Sequence, residues 1–195
     1  MDRSLIGCST WKYLGQIADA ARGATYNRAH EVIAELERHI PRVWTLTQNV
    51  DGFHRLAGSR NVIEIHGNMS SLSCTKCDFR VLLGNSEELC LPPICTQCSA
   101  ILRPDVVLFG EQLPEEALMR LRRESETGFG VVFSIGTSSV FPYIQEPLWV
   151  AHRTGVPTIE INPSETVLSD SVDYRLPLGA AAALDEIWKR FSQHH

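Results

Sequence analysis

The 195-residue sequence lacks two features that would each define a class of protein: a long apolar run and an excess of positive charge. A membrane-spanning helix needs about 20 consecutive apolar residues. A nucleic-acid-binding surface is usually basic, whereas this chain carries a net charge of −5. We therefore expect no membrane span and no direct nucleic-acid binding. Met1-Asp2-Arg3 leads into a short mixed segment rather than an apolar signal core, so we expect a cytoplasmic protein.

The sequence also lacks G-x-G-x-x-G, the usual fingerprint of a dinucleotide-binding turn. Any nucleotide site must therefore be built from other groups. The hydrophobic fraction of 44% and the charged fraction of 21% are ordinary for a globular protein. At this length the chain can form one good core and a small additional module.

Six cysteines are present, and four of them form two C-x-x-C pairs, Cys74/Cys77 and Cys95/Cys98. The spacing is typical of a four-thiolate zinc ribbon, in which four protein ligands leave the metal no open position. We predict one structural zinc ion, held in a ribbon module at 73–99. Cys90 could compete as a ligand, and a disulfide framework is the alternative for the whole set of cysteines.

Segments of strand-like composition alternate with segments of helical periodicity. The predicted strands are 43–47, 62–65, 130–135 and 157–161, with a further apolar run at 106–109; the predicted helices are 28–38, 113–124, 147–153 and 180–191. This alternation is typical of an α/β fold with a parallel sheet. Ligands of such sheets bind beyond the carboxyl ends of the strands.

Polar residues follow several of these strands. Gln48, Asn49 and Asp51 suit ribose hydroxyls and a carboxamide, or form a turn that caps its own backbone. His66 offers a neutral imidazole, because its unperturbed pKa lies near 6.5, and is either a base or a core histidine. The turn at 136–138 can present N–H groups and hydroxyls to a phosphate or ribose, although many such turns bind nothing.

Taken in order, these segments resemble the sirtuin family. The matching segments are Asn27-Arg28-Ala29-His30, Thr47-Gln48-Asn49-Val50-Asp51, Ile65-His66-Gly67-Asn68, the two C-x-x-C pairs, 102–111, Gly136-Thr137-Ser138 and Ile161-Asn162-Pro163. The resemblance implies an NAD-dependent protein-lysine deacylase that releases nicotinamide and O-acyl-ADP-ribose. It also implies a Rossmann-like parallel sheet with helices on both faces, plus an inserted small zinc-ribbon module.

The resemblance implies roles for individual residues. His66 is the expected general base, and Asn49 the residue that orients the nicotinamide ribose or a water. The expected NAD contacts are Gln48, Asn49, Val50, Asp51, Gly136, Thr137, Ser138, Asn162 and Ala180. The expected peptide contacts are Val106, Val107, Phe109, Gly110 and Glu111, which would pair with the substrate as an added strand. The zinc ligands are Cys74, Cys77, Cys95 and Cys98. The implied cofactors are NAD and one zinc ion, and the implied partners are acyl-lysine proteins or peptides.

The predicted domains are a helical segment at 1–40, a Rossmann-like domain at 41–72 and 100–195 that is incomplete at its N-terminus, and the zinc-ribbon module. The family's Gly-Ala-Gly-x-Ser turn and Pro-x-Phe-Arg loop, which hold the NAD diphosphate and cover nicotinamide, have no counterpart in the sequence. A fragment or misassigned start, a naturally shortened sirtuin, and a catalytically impaired acyl-lysine-binding module are the alternatives. We expect weak NAD affinity for this chain alone, and self-association through an exposed sheet edge.

The predicted acyl preference rests on a Tyr-x-x-Arg pair of which this sequence has only the tyrosine. Family members that prefer succinyl and malonyl groups carry Tyr-x-x-Arg, whereas Tyr13 is followed three residues later by Gln16. An arginine would bind an acyl carboxylate bidentately. Its absence favours neutral acyl groups such as acetyl.

Overall fold

The structure is a computed structural model, and it describes Trp11 and residues 23–83 and 92–193. The chain divides into two compact units. The first unit comprises Met1–Thr25, Thr47–Gly52 and Glu64–Pro114, and the second comprises Tyr26–Leu46, Phe53–Ile63 and Glu115–His195. Both C-x-x-C pairs belong to the first unit. The domain boundaries proposed from the sequence stay a prediction.

Helices and strands alternate along much of the described chain. In order they are α1 Arg28–His39, β1 Thr45–Thr47, α2 Phe53–Leu56, β2 Val62–Glu64, β3 Gly67–Cys74, β4 Arg80–Leu82, β5 Leu102–Val106, α3 Glu115–Thr127, β6 Val132–Ile135, α4 Pro142–Arg153, β7 Thr158–Ile161, β8 Tyr174–Leu176 and α5 Ala180–Ser192. The predicted α/β class is confirmed. None of the helices in the described part of the chain has the length and apolarity that a membrane span requires.

The second unit contains a parallel sheet in the order β6-β7-β8. Its core joins α1, β7 and α5, and the buried residues are Ala29, Val32, Ile161, Ala183 and Leu184. Asn27 caps the N-terminus of α1: its side chain accepts from the N–H of Ala29 in a capping box with His30. Such a cap stabilises a helix by about 1 kcal/mol. Helix α1 is therefore fixed both by its cap and by its buried face.

The first unit contains an antiparallel sheet in the order β4-β3-β5. Leu72 of β3, Leu102 of β5 and Cys95 are buried together. Trp11 packs against this cluster, and its indole N–H donates to the carbonyl of Leu102 at 2.7 Å. A bound metal would add to the stability of this part of the unit, because Cys95 belongs both to the buried cluster and to a C-x-x-C pair.

Two predicted segments differ from the observed elements. Of the apolar run at 106–109, only Val106 lies in a strand, because β5 ends there, and Phe109 is fully exposed to solvent. Helix α4 begins at Pro142, upstream of the predicted start, and Pro147 lies inside it. An interior proline costs a helix about 3 kcal/mol. Burial of Ile144 and Leu148 on the inner face of α4 offsets that cost.

Arg42 pairs with a buried carboxylate of α3. Its Nη2 lies 2.8 Å from Glu124 Oε2 and also donates to the Glu124 carbonyl, and its guanidinium stacks 4.1 Å from the centre of the Phe129 ring. Arg123 pairs with the other carboxylate oxygen at 3.0 Å. The hydrogen bond from Arg42 is the main cause that lowers the pKa of Glu124.

We expect Arg42→Ala to lower the free energy of unfolding by about 2 kcal/mol at neutral pH, because the buried carboxylate loses one of two cationic partners. A lowered folded-state pKa stabilises the protein above the ordinary value of 4.5 and ceases to do so as the pH falls through the lowered value. The difference from the wild type should therefore shrink in acid. Urea titrations at neutral and acidic pH measure it.

The matched control is Arg122→Ala, at an exposed position of α3, the helix that carries Glu124. This variant should stay within about 0.5 kcal/mol of the wild type. Equal losses in the two variants would contradict the assigned contact.

Candidate active site and metal centre

His66 lies between β2 and β3, and one hydrogen bond determines which ring nitrogen can act as a base. Its Nδ1 is 3.2 Å from the carbonyl oxygen of Gln48. A carbonyl oxygen only accepts hydrogen bonds, so Nδ1 carries the proton in this contact and Nε2 is the nitrogen that can accept one. The imidazole is half-buried. Such a contact fixes the orientation and the tautomer of the ring, as a general base would require.

Loop 48–52 follows β1 and is held by backbone hydrogen bonds. The N–H of Asn49 donates to Thr47 Oγ1 at 3.1 Å, and the N–H of Met69 donates to the carbonyl of Val50 at 2.9 Å. Asn49 is exposed, and the other predicted residues of the loop are half-buried. The structure thus brings the predicted nicotinamide-side residues into one loop beside the imidazole.

Gly67 follows the predicted base at a very close approach between backbones. Its φ is +80°, and a Cβ added there would lie 1.7 Å from the carbonyl oxygen of Asp105. Gly67 pairs with Val106 across β3 and β5. Only glycine therefore allows β3 to begin at this point, directly beside His66.

We expect Gly67→Ala to destabilise the first unit by more than about 4 kcal/mol, because the added methyl must displace backbone rather than a flexible side chain. Gly110→Ala is the matched control, since Gly110 has a φ of +85° but no residue in the described part of the chain lies within 4 Å of its added Cβ. The control should lose only about 1–2 kcal/mol from backbone strain. Amide exchange of β3 and β5 measures both, and similar losses would contradict the steric argument.

The four cysteines of the two pairs form one cluster of sulfurs. Their ligand atoms all lie within 4.8 Å of one another. The shortest distances are 3.4 Å from Cys74 Sγ to Cys98 Sγ and 3.6 Å from Cys77 Sγ to Cys95 Sγ. A tetrahedral zinc with Zn–S bonds of about 2.3 Å places its sulfurs about 3.8 Å apart. The donor set and its spacing therefore fit one zinc ion, and the four cysteines are positioned to bind it.

Backbone N–H groups support this cluster in the same way at each pair. The N–H of Lys76 donates to Cys74 Sγ at 3.3 Å, and the N–H of Gln97 donates to Cys95 Sγ at 3.4 Å. Such bonds stabilise thiolates and orient them toward a metal. The equivalent positions in the two C-x-x-C turns indicate two matching halves of one site. Cys90 lies outside the described residues.

The predicted peptide-binding segment, 106–111, begins at the end of β5. Val106 is buried, whereas Phe109 has a relative exposure of 102%. The N–H of Val107 donates to the carbonyl of His66 at 2.9 Å. Glu111 pairs with Arg103, whose guanidinium is the main cause that lowers the pKa of the Glu111 carboxyl. Arg103 is a residue to which the sequence assigned no role.

In the second unit the structure brings the turn at 136–138 together with Asn162. The side-chain N–H of Asn162 donates to the carbonyl of Thr137 at 3.0 Å, and the N–H of Gly136 donates to the carbonyl of Ile161 at 2.9 Å. Gly136 has a φ of +60°, and no described residue would lie within 4 Å of a Cβ added there. The open space beside this turn leaves room for a ligand to approach its backbone.

Ser139 follows this turn and was missed by the sequence analysis. It is fully buried at a φ of +53°, which a non-glycine residue seldom adopts. Its Oγ is 3.2 Å from Ser134 Oγ, and its N–H donates to Thr137 Oγ1 at 3.1 Å. The buried side chain and the backbone N–H of Ser139 therefore fix the conformation of the turn. Nothing in a run of serines distinguishes the one that takes this conformation.

Ala180, the last predicted cofactor contact, is the first residue of α5. It is half-buried and packs against the core cluster of the second unit. Its role beside an adenine ring stays a prediction, as do the roles assigned to the other site residues.

Comparison with known proteins gives the same family throughout. Residues 8–142 match the model of the Sir2 family. The NAD-dependent protein deacylase 2 of Pseudomonas aeruginosa is 47% identical over 171 residues, which cover 85% of this chain and 66% of that protein. The NAD-dependent protein deacylase 1 of Archaeoglobus fulgidus is 40% identical over 178 residues, 91% of this chain and 72% of that protein. The chain thus spans about two thirds of the length of the first of these relatives.

Solved structures agree. A Sir2 homologue in complex with NAD matches with a TM-score of 0.81 at 40% identity, over 88% of this chain and 67% of that one. A complex of Sir2 with a p53 peptide and NAD+ matches with a TM-score of 0.77 at 26% identity, over 93% of this chain and 80% of that one. The sequence-based assignment is confirmed: the chain belongs to the Sir2 family, the sirtuins.

Proposed function

We propose that this chain is an NAD-dependent protein-lysine deacylase that removes neutral acyl groups such as acetyl and releases nicotinamide and O-acyl-ADP-ribose. The observation that carries the proposal is the hydrogen bond between His66 Nδ1 and the Gln48 carbonyl, at 3.2 Å. It holds the imidazole in the tautomer that a base requires, within a chain whose relatives are named NAD-dependent protein deacylases.

The base acts at Nε2. Because Nδ1 carries its proton in the hydrogen bond to the Gln48 carbonyl, Nε2 is the atom at which His66 would take a proton from a ribose hydroxyl. The resulting imidazolium keeps its Nδ1–H and its bond to Gln48. The ring can therefore gain and return a proton without reorienting, which is the property that general acid–base catalysis needs.

Two sets of residues would hold NAD, which when bound supplies the acceptor for the acyl group and releases nicotinamide. In the first unit, Asn49 would orient the ribose or a water, and Asp51 with Val50 would hold the carboxamide. In the second unit, Asn162 and the turn at 136–138 would hold phosphate and the adenosine ribose. The open space at the Gly136 backbone supports this assignment.

Segment 106–111 would bind the acyl-lysine peptide by pairing with it as an added strand. Two observations support this assignment. The segment continues directly from β5, and a related Sir2 protein has been solved with a p53 peptide and NAD+. The zinc cluster would stabilise the sheet of the first unit without touching substrate.

The test is nicotinamide release from an acetyl-lysine peptide in the presence of NAD. We expect weak NAD affinity, so NAD should be supplied at several millimolar, above the usual KM range of about 1 μM to 1 mM. Release in proportion to the peptide deacetylated supports the proposal. Peptide binding without nicotinamide release would instead support the alternative, a sirtuin that acts as an acyl-lysine-binding module.

A further inference from the structure

Segment 106–111 is held by one arginine and one glutamate that pair across it. Arg103 Nη1 lies 2.8 Å from Glu111 Oε1, and Arg103 Nη2 lies 3.0 Å from Glu111 Oε2. This is the bidentate geometry that makes an arginine–carboxylate pair both strong and directional. Arg103 lies in β5, three residues before the segment, and Glu111 is the last residue of the segment, so their pairing closes 103–111 into a loop.

The same two side chains also hydrogen-bond to the backbone of the loop that they close. Arg103 Nη2 donates to the carbonyl of Val106 at 2.9 Å, and Glu111 Oε2 accepts from the N–H of Leu108 at 3.0 Å. The N–H of Glu111 donates to the carbonyl of Leu108 at 2.9 Å. The conformation of 106–111 is thus determined by the pair at several points.

These contacts leave a specific set of backbone groups open. Among the described residues no partner exists for the carbonyl of Val107 or for the N–H and carbonyl groups of Phe109 and Gly110. An added strand needs a donor and an acceptor on the same residue of the edge that it joins. Phe109 offers both, whereas both backbone groups of Leu108 are already engaged by Glu111.

We propose that Arg103 and Glu111 are positioning residues that hold the loop in the conformation in which Phe109 and Gly110 present their backbone groups to an acyl-lysine peptide. Glu111, which the family resemblance implied as a peptide contact, then acts through the loop and does not touch the substrate itself. This inference rests on the proposed function, because it assigns a means of holding the peptide-binding segment of the same site.

The test compares Arg103→Ala with Arg103→Lys and with Arg80→Ala. Arg80 is an exposed arginine of β4 in the same unit and serves as the matched charge control. Lysine keeps the charge of Arg103 but cannot form a bidentate pair, so it should restore function only in part. Three properties are measured: amide hydrogen exchange at Leu108, fluorescence anisotropy with a labelled acetyl-lysine peptide, and zinc content as a check of folding.

We expect Arg103→Ala to raise exchange at Leu108 and to weaken peptide affinity about tenfold, the scale of losing a hydrogen bond to a charged group. In turnover the peptide KM should rise by a similar factor while the NAD KM stays unchanged. Arg103→Lys should lie between, and Arg80→Ala should match the wild type. Zinc content should be equal in all four proteins.

Unchanged exchange at Leu108, or faster exchange with unchanged peptide affinity, would overturn the positioning role while leaving the proposed function intact. A wild-type chain that binds no acetyl-lysine peptide would overturn the proposed function and the inference together. The two failures are therefore distinguishable in one experiment.

Discussion

Cys95→Ser should abolish zinc binding and unfold the first unit while β6–β8 of the second unit keep their protection. A structural zinc site contributes on the order of 10 kcal/mol to folding. Among the described residues, Cys95, whose relative exposure is 1%, is buried with Leu72 and Leu102, so one zinc ligand is also part of the core. The net stability of a domain is only about 5–15 kcal/mol, so loss of the zinc would remove most of it. Metal analysis and amide exchange of β3 and β5 measure the effect.

The control for this prediction is Cys90→Ser. Cys90 stands outside both C-x-x-C pairs, and four other cysteines already complete a tetrahedral set. This variant should therefore retain one zinc per chain and the exchange protection of the wild type. Zinc loss in Cys90→Ser with retention in Cys95→Ser would contradict the assigned ligand set, and a chelator that leaves β3 protected would contradict the stabilising role of the metal.

His66→Ala should lower the rate of nicotinamide release by about 100- to 10,000-fold, the usual contribution of a general base. Peptide affinity should fall little, because the Val107 N–H bonds to the backbone carbonyl of His66, which the substitution keeps.

His152→Ala provides the matched histidine control. His152 is exposed on α4, and no part in binding or catalysis is assigned to it. Its rate should equal that of the wild type. Nicotinamide release that survives His66→Ala would remove the assignment of the base, and equal losses in both variants would indicate a general effect of removing a histidine.

Much of the second unit could be predicted from the sequence because its signals are local. The stripe of Ala29 and Val32 on α1 predicted a helix that buries this face, and the core contains both residues. The parallel sheet followed from the alternation of strands and helices. In these elements one physical effect, burial of a periodic apolar face, determines the structure.

In the first unit, the apolar pattern of the sequence fails to predict the structure where polar contacts determine the path of the backbone. The apolar run at 106–109 continues past the end of β5. There the Leu108 N–H donates to the Glu111 carboxylate and the Glu111 N–H donates to the Leu108 carbonyl, and these bonds turn the backbone and leave Phe109 in solvent. The pairing of Arg103 with Glu111, eight residues apart, leaves no periodic pattern in the sequence. In the second unit the conformation of Ser139 could not be predicted either, because it depends on contacts, such as that with Ser134, that form only when the chain folds.

His66 is bonded at both ends. Its carbonyl accepts from the N–H of Val107 at 2.9 Å, and its Nδ1 donates to the carbonyl of Gln48 at 3.2 Å. One residue thus joins the loop expected to hold nicotinamide to the segment expected to hold peptide. Substitutions in these two segments share a partner, so their energetic effects should be non-additive. A double-mutant cycle between loop 48–52 and segment 106–111 would read this coupling directly, and selection acting on either segment would constrain the other.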